Sequence, residues 1–68
     1  MLKVTIRRGL PLTIDYEMGN HRGPYIEDWG VTHIGKKPCR KNPAWIKFTR
    51  DDIATIEDAI WRDYYAYA

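Results

Sequence analysis

Two runs of strict apolar and polar alternation meet across a short turn ending in glycine, and no other feature constrains this chain as much. Leu2, Val4 and Ile6 alternate with Lys3, Thr5 and Arg7. Leu10, Leu12 and Ile14 alternate with Pro11, Thr13 and Asp15, and the pattern runs on to Tyr16 and Met18. A period of two marks strands with one face buried. The turn then sets the register. A two-residue turn at Arg8-Gly9 would pair Ile6 with Pro11 and set apolar side chains opposite polar ones. A three-residue turn, Arg7-Arg8-Gly9, pairs Ile6 with Leu10, Val4 with Leu12 and Leu2 with Ile14, with Gly9 at the left-handed position that such a turn needs.

The C-terminal segment, Thr49 to Ala68, reads as one capped helix. The Thr49 hydroxyl can accept a hydrogen bond from an amide one turn on, while Asp51 and Asp52 place negative charge at the positive end of the helix dipole. Asp52 stands at the third helical position, so Thr49 and Asp52 make a short capping box, and Phe48 with Ile53 is spaced as a hydrophobic staple. On a helical wheel Ile53, Ile56, Ile60, Tyr64 and Tyr67 share the stripe expected to cover the sheet. Ala54, Trp61 and Tyr65 make a second stripe, with Glu57 between the two. Two readings of Trp61 and Tyr65 stay open: they fold over the sheet edge, or they form a partner or dimer surface, for which Trp and Tyr are favoured anchors.

Between hairpin and helix the pattern is weaker. Gly19 to Pro24 is turn composition, and a third strand is expected within Tyr25 to Ile34. Tyr25, Trp29 and Val31 share one parity and Ile26 and Ile34 the other, so Gly30 is the expected position of a bulge that switches faces. Gly35 to Pro43 is a basic loop whose two prolines argue against a central strand. Trp45 to Phe48 is a candidate short fourth strand. The expected fold is α+β: an antiparallel sheet of three to four strands, N-terminal hairpin first, with one C-terminal helix packed on one face. Leu2, Val4, Ile6, Leu10, Leu12, Ile14, Ile53, Ile56 and Ile60 form the expected core, with Phe48 and Tyr64 at its ends.

Sixty-eight residues are read as a single domain, 1–68. A chain this short buries only about 60% of its unfolded surface, so its core is marginal. One cysteine, Cys39, permits no intrachain disulfide and fits a reducing compartment. There is no apolar run of membrane-spanning length and no signal-peptide pattern, so the expected location is cytoplasmic, with no membrane partner. Residues 1–48 carry nine Lys and Arg against four Asp and Glu, and residues 49–68 carry two against five. Such a split presents two faces of opposite sign, which can steer a charged partner.

No catalytic constellation rises from the residues. The chain has no serine, and Cys39 has basic neighbours without a general base. His21, Asp28, His33 and Cys39 are the residues that resemble metal ligands, but their spacing matches no common zinc pattern. The glycines of Gly19 to Gly23 lack the ending of a phosphate loop. No cofactor or metal is implied, and a chain this small has few residues from which to build a pocket. Lys36, Lys37, Arg40 and Lys41, with Lys47 and Trp45 nearby, could grip a nucleic-acid backbone, against which the acidic helix argues.

Tyr16-Glu17-Met18-Gly19-Asn20 closing a strand, Pro24-Tyr25-Ile26-Glu27 opening the next, and Thr49 to Ile53 leading into Ile56 to Ile60 resemble the small, mostly uncharacterised accessory proteins of tailed bacteriophages and prophages. That resemblance implies non-enzymatic binding to a host or phage macromolecule, inhibition of a host defence system being one such role. The functional expectation is therefore a protein-binding accessory protein, with a homodimer among its expected assemblies. Trp61 and Tyr65 are its anchors, with Lys36, Lys37, Arg40 and Lys41 as a charged rim. The alternative is a small nucleic-acid binder using the 36–41 loop.

Overall fold

The computed structural model describes residues 2–40 and 47–66. Strands β1 (Leu2–Ile6), β2 (Leu10–Asn20), β3 (Pro24–Ile34) and β4 (Lys37–Pro38) form one antiparallel sheet in the order β1-β2-β3-β4, and helix α1 (Arg50–Ala66) packs on it. This is the expected α+β architecture. The N-terminal hairpin has the register that alternation dictates, with Leu2, Val4 and Ile6 opposite Ile14, Leu12 and Leu10.

The turn reaches that register by an unexpected backbone. Arg7 and Arg8 have φ of 51° and 59°, and Gly9 follows at 148°. Two successive residues at positive φ, closed by a bond from Gly9 N–H to the Ile6 carbonyl (3.1 Å), turn the chain with the twist of a type I′ hairpin. Gly9 is then the extra residue beyond the turn. Gly9 is at positive φ as expected, but the two arginines before it are at positive φ as well, and Arg7 is held there by the helix contacts described below.

β3 settles its mixed parity with two irregularities instead of one. Pairing with β2 is regular from Asn20↔Pro24 to Met18↔Ile26, skips Glu27, resumes from Glu17↔Asp28 to Ile14↔Val31, and skips Thr32 before Thr13↔His33. Each extra residue switches the face, so Ile26, Trp29, Val31 and Ile34 all pair with core-facing residues of β2. Gly30, expected at a bulge, pairs regularly with Asp15. Tyr25 sits on the other face opposite Gly19, where a Cβ at Gly19 would fall 2.3 Å from Tyr25 Cζ. An aromatic ring covering a strand glycine restores cross-strand packing that glycine cannot supply.

The fourth strand is Lys37–Pro38, at the sheet edge beside His33 and Ile34. In the Trp45–Phe48 segment, Trp45 and Ile46 lie outside the described residues, and neither Lys47 nor Phe48 is in a strand. The core is Val4, Ile6, Leu12, Ile14, Val31, Ile56 and Ile60, with Leu2, Leu10, Trp29 and Phe48 among its partly buried neighbours. Val31 is thus a core residue that the ambiguous phase of β3 concealed. Ile53 is only half-buried and stands apart from the cluster, contrary to its place on the expected stripe. Asp52, Ile56 and Ile60 are the residues of α1 that are buried.

Candidate functional site

Among the described residues, one polar cluster joins the start of α1 to the first turn. Thr49 and Asp52 make the expected reciprocal cap: Asp52 Oδ2 accepts the Thr49 N–H at 3.0 Å, and Thr49 Oγ1 accepts the Asp52 N–H at 3.2 Å. Arg7 reaches across from the hairpin turn, donating Nε and Nη2 to the same Oδ2 at 3.0 and 2.9 Å, and Nη2 also donates to the Lys47 carbonyl. One carboxylate therefore ties the helix start to the first turn. The Thr49 amide and the Arg7 guanidinium hold the Asp52 carboxyl below its usual range against the opposing effect of its burial. A lowered folded pKa stabilises the protein above the unfolded value, about 3.9, and that contribution is lost as pH falls through the folded value. Asp52→Asn is expected to remove that part of the acid-induced destabilisation, so urea midpoints of parent and variant should draw together as pH falls below the usual carboxylate range and separate toward neutrality.

The aromatic residues of α1 gather around one ring. Tyr65 stacks on Trp61, centroids 5.7 Å apart and planes 22° apart. Tyr64 meets both edge-on, at 6.1 Å from Trp61 and 5.4 Å from Tyr65. Spacings of three and four residues bring these side chains together on the helix surface. Tyr65 is 61% exposed, and none of the three rings packs against the buried core. Tyr64, placed on the core stripe by the wheel, instead extends this patch. Its position three residues after Trp61 is the signal in the sequence. Beside it, Arg62 pairs with Asp58 at 3.1 Å, and Tyr16 of β2 donates its hydroxyl to Asp63 at 2.5 Å, fastening this end of α1 to the sheet.

The expected basic rim is exposed but separate. Lys36 lies in the β3–β4 turn, Lys37 in β4 and Arg40 just after it, while Lys41 lies outside the described residues. Among the described residues, no hydrogen bond, ion pair or ring contact joins them to Trp61 or Tyr65. A shallow pocket of about 310 Å³ opens between β1, β2 and the β3–β4 turn, with Lys3, Thr5, Thr13 and Lys36 in its lining. It joins residues far apart in sequence, so no local motif announces it. It has cationic and hydroxyl groups but no carboxylate, imidazole or thiol in its lining.

The residues weighed as metal ligands are dispersed. His33 Nδ1 is 3.0 Å from Thr32 Oγ1, the Cys39 thiol faces the Val31 carbonyl at 3.7 Å, and His21 lies exposed in the β2–β3 turn. Among the described residues no three His, Cys, Asp or Glu side chains group to hold an ion. Nor is any helix among them long and apolar enough to cross a membrane. Comparison with protein-family models, with curated proteins and with solved structures returned no match.

Proposed function

We propose that this chain is a non-enzymatic binding protein whose protein partner docks on the aromatic patch of α1. The observation that carries the reading is the cluster of Trp61, Tyr64 and Tyr65, stacked on one another and left outside the core, with Tyr65 61% exposed. Rings that hold one another in place lose little freedom on binding, and Trp and Tyr dominate the energetics of protein interfaces. The neighbouring acidic residues of α1 favour a partner with a basic surface. The resemblance to phage and prophage accessory proteins supports a partner in a bacterial host and a modulating or inhibitory role.

The test is capture from a bacterial lysate by the parent and by a Trp61→Ala/Tyr65→Ala variant whose circular dichroism and melting match the parent. Anchor truncation commonly weakens binding by about 30-fold or more, so a partner retained by the parent is expected to be missing from the variant. Equal recovery from both would refute the patch as the site. The exposed Lys36, Lys37 and Arg40 keep the nucleic-acid reading in view, and retention of DNA or RNA that falls steeply with salt would replace the present one.

A further inference from the structure

We propose that the open edge of β1 is the seam of a symmetric homodimer, in which β1 pairs antiparallel with β1 of a second copy about a two-fold axis at Val4. This goes beyond the partner reading and does not depend on it. Gly9 donates to the Ile6 carbonyl, so that carbonyl points toward β2. In an antiparallel ladder the N–H and C=O of one residue share a side, and successive residues alternate. Leu2, Val4 and Ile6 therefore bond β2, while Lys3 and Thr5 turn their N–H and C=O outward. Among the described residues, β1 pairs only with β2. The opposite edge of the sheet is blunted: β4 is two residues long, and Pro38 has no N–H.

The sequence of β1 selects one self-pairing. Centred on Val4, it sets Leu2 opposite Ile6 of the partner subunit, Val4 opposite its equivalent, and Lys3 opposite Thr5 of the partner subunit. The two neighbouring registers that keep the same residues outward fail on charge. Centring on Lys3 opposes the two copies of Lys3, and centring on Thr5 opposes Lys3 to Arg7 of the partner subunit. Like charges directly opposite destabilise a strand pair. The Val4 register also places the outward groups of Lys3 and Thr5 in facing pairs that exchange both hydrogen bonds.

The helix extends the seam. α1 lies nearest β1, the edge strand. Ala59 packs against the buried cluster, so α1 covers the core side of the edge strand. A two-fold axis through Val4 sets both helices on one face of an eight-stranded sheet. Apolar surface that a chain of this size cannot cover alone is then buried by its copy.

Sedimentation equilibrium on the full chain and two variants tests the register. The parent is expected to show twice the chain mass of 8.0 kDa at micromolar concentration. Thr5→Lys sets Lys against Lys at two equivalent places in the dimer, and the dissociation constant should rise roughly 2- to 30-fold. Adding Lys3→Glu to that variant sets Glu against Lys at both places and should restore the parent value or better. A parent that stays monomeric up to about 1 mM overturns the proposal, as does a double variant no tighter than Thr5→Lys alone. Amide exchange on the parent gives a readout independent of any substitution. The Lys3 and Thr5 amides should be protected at high concentration and lose that protection on dilution, and fast exchange at both concentrations counts against the seam.

Discussion

Val31→Asp is expected to abolish folding, whereas Tyr25→Asp is expected to leave a folded protein. Both positions are odd-numbered residues of β3, and simple alternation would set them on one face. The extra residue at Glu27 lies between them and puts Val31 in the core at 0% exposure, while Tyr25 stands on the opposite face at 43%. An ionised carboxylate among Ile14, Ile56 and Ile60 meets no cationic side chain in the described cluster, and the effective penalty for such a charge is several kcal/mol. A core of this size supplies about 3–5 kcal/mol in all, so the folded state does not survive. Tyr25→Asp exposes Gly19 and forfeits one cross-strand pair, about 1 kcal/mol or less. Far-UV circular dichroism and amide proton dispersion at pH 7 separate the outcomes. A Val31→Asp protein that melts cooperatively near the parent would show that β3 does not cross the core as described.

The elements that the sequence made legible are those fixed by neighbours along the chain. The β1–β2 register follows from alternation and turn length, and the cap follows from Thr49 and Asp52 standing three residues apart. β3 was harder for a physical reason. Its irregularities fall at Glu27 and Thr32, ordinary residues whose bulging depends on how β2 pairs beside them, whereas Gly30, the residue that draws attention, pairs regularly. The rotation of α1 was hidden in the same way. Hydropathy alone sends Asp52 to solvent, but its carboxylate is satisfied by Thr49 and Arg7, so it can occupy the buried face and turn Ile53 aside. Of the candidate site, Trp61 and Tyr65 were legible because they lie off the core stripe. Tyr64 joins them through side-chain stacking that a wheel does not represent, and the pocket between β1, β2 and the β3–β4 turn is a product of tertiary folding.

The rotation of α1 is measurable through two isoleucines one turn apart. Ile56 is 0% exposed and sits between Asp52 and Ile60 on the face that meets the sheet. Ile56→Ala removes three carbons from a close-packed cluster and leaves a cavity that the sheet, held by its ladders, fills only partly. Such truncations cost about 2–5 kcal/mol. Against the total available to a chain this short, that loss leaves a large unfolded population at 25 °C. Ile53→Ala changes a half-buried side chain outside the cluster, and the better helix propensity of alanine offsets part of the loss, so the net change stays within about 1 kcal/mol. Urea unfolding followed by tryptophan fluorescence, at one protein concentration for parent and variants, gives both values on one scale. Equal losses at the two positions would mean that the helix presents the stripe centred on Ile53 and Ile56. In that case Asp52 could not hold its buried place between Thr49 and Arg7. A large loss at Ile56 alone fixes the helix with its aromatic flank turned away from the core.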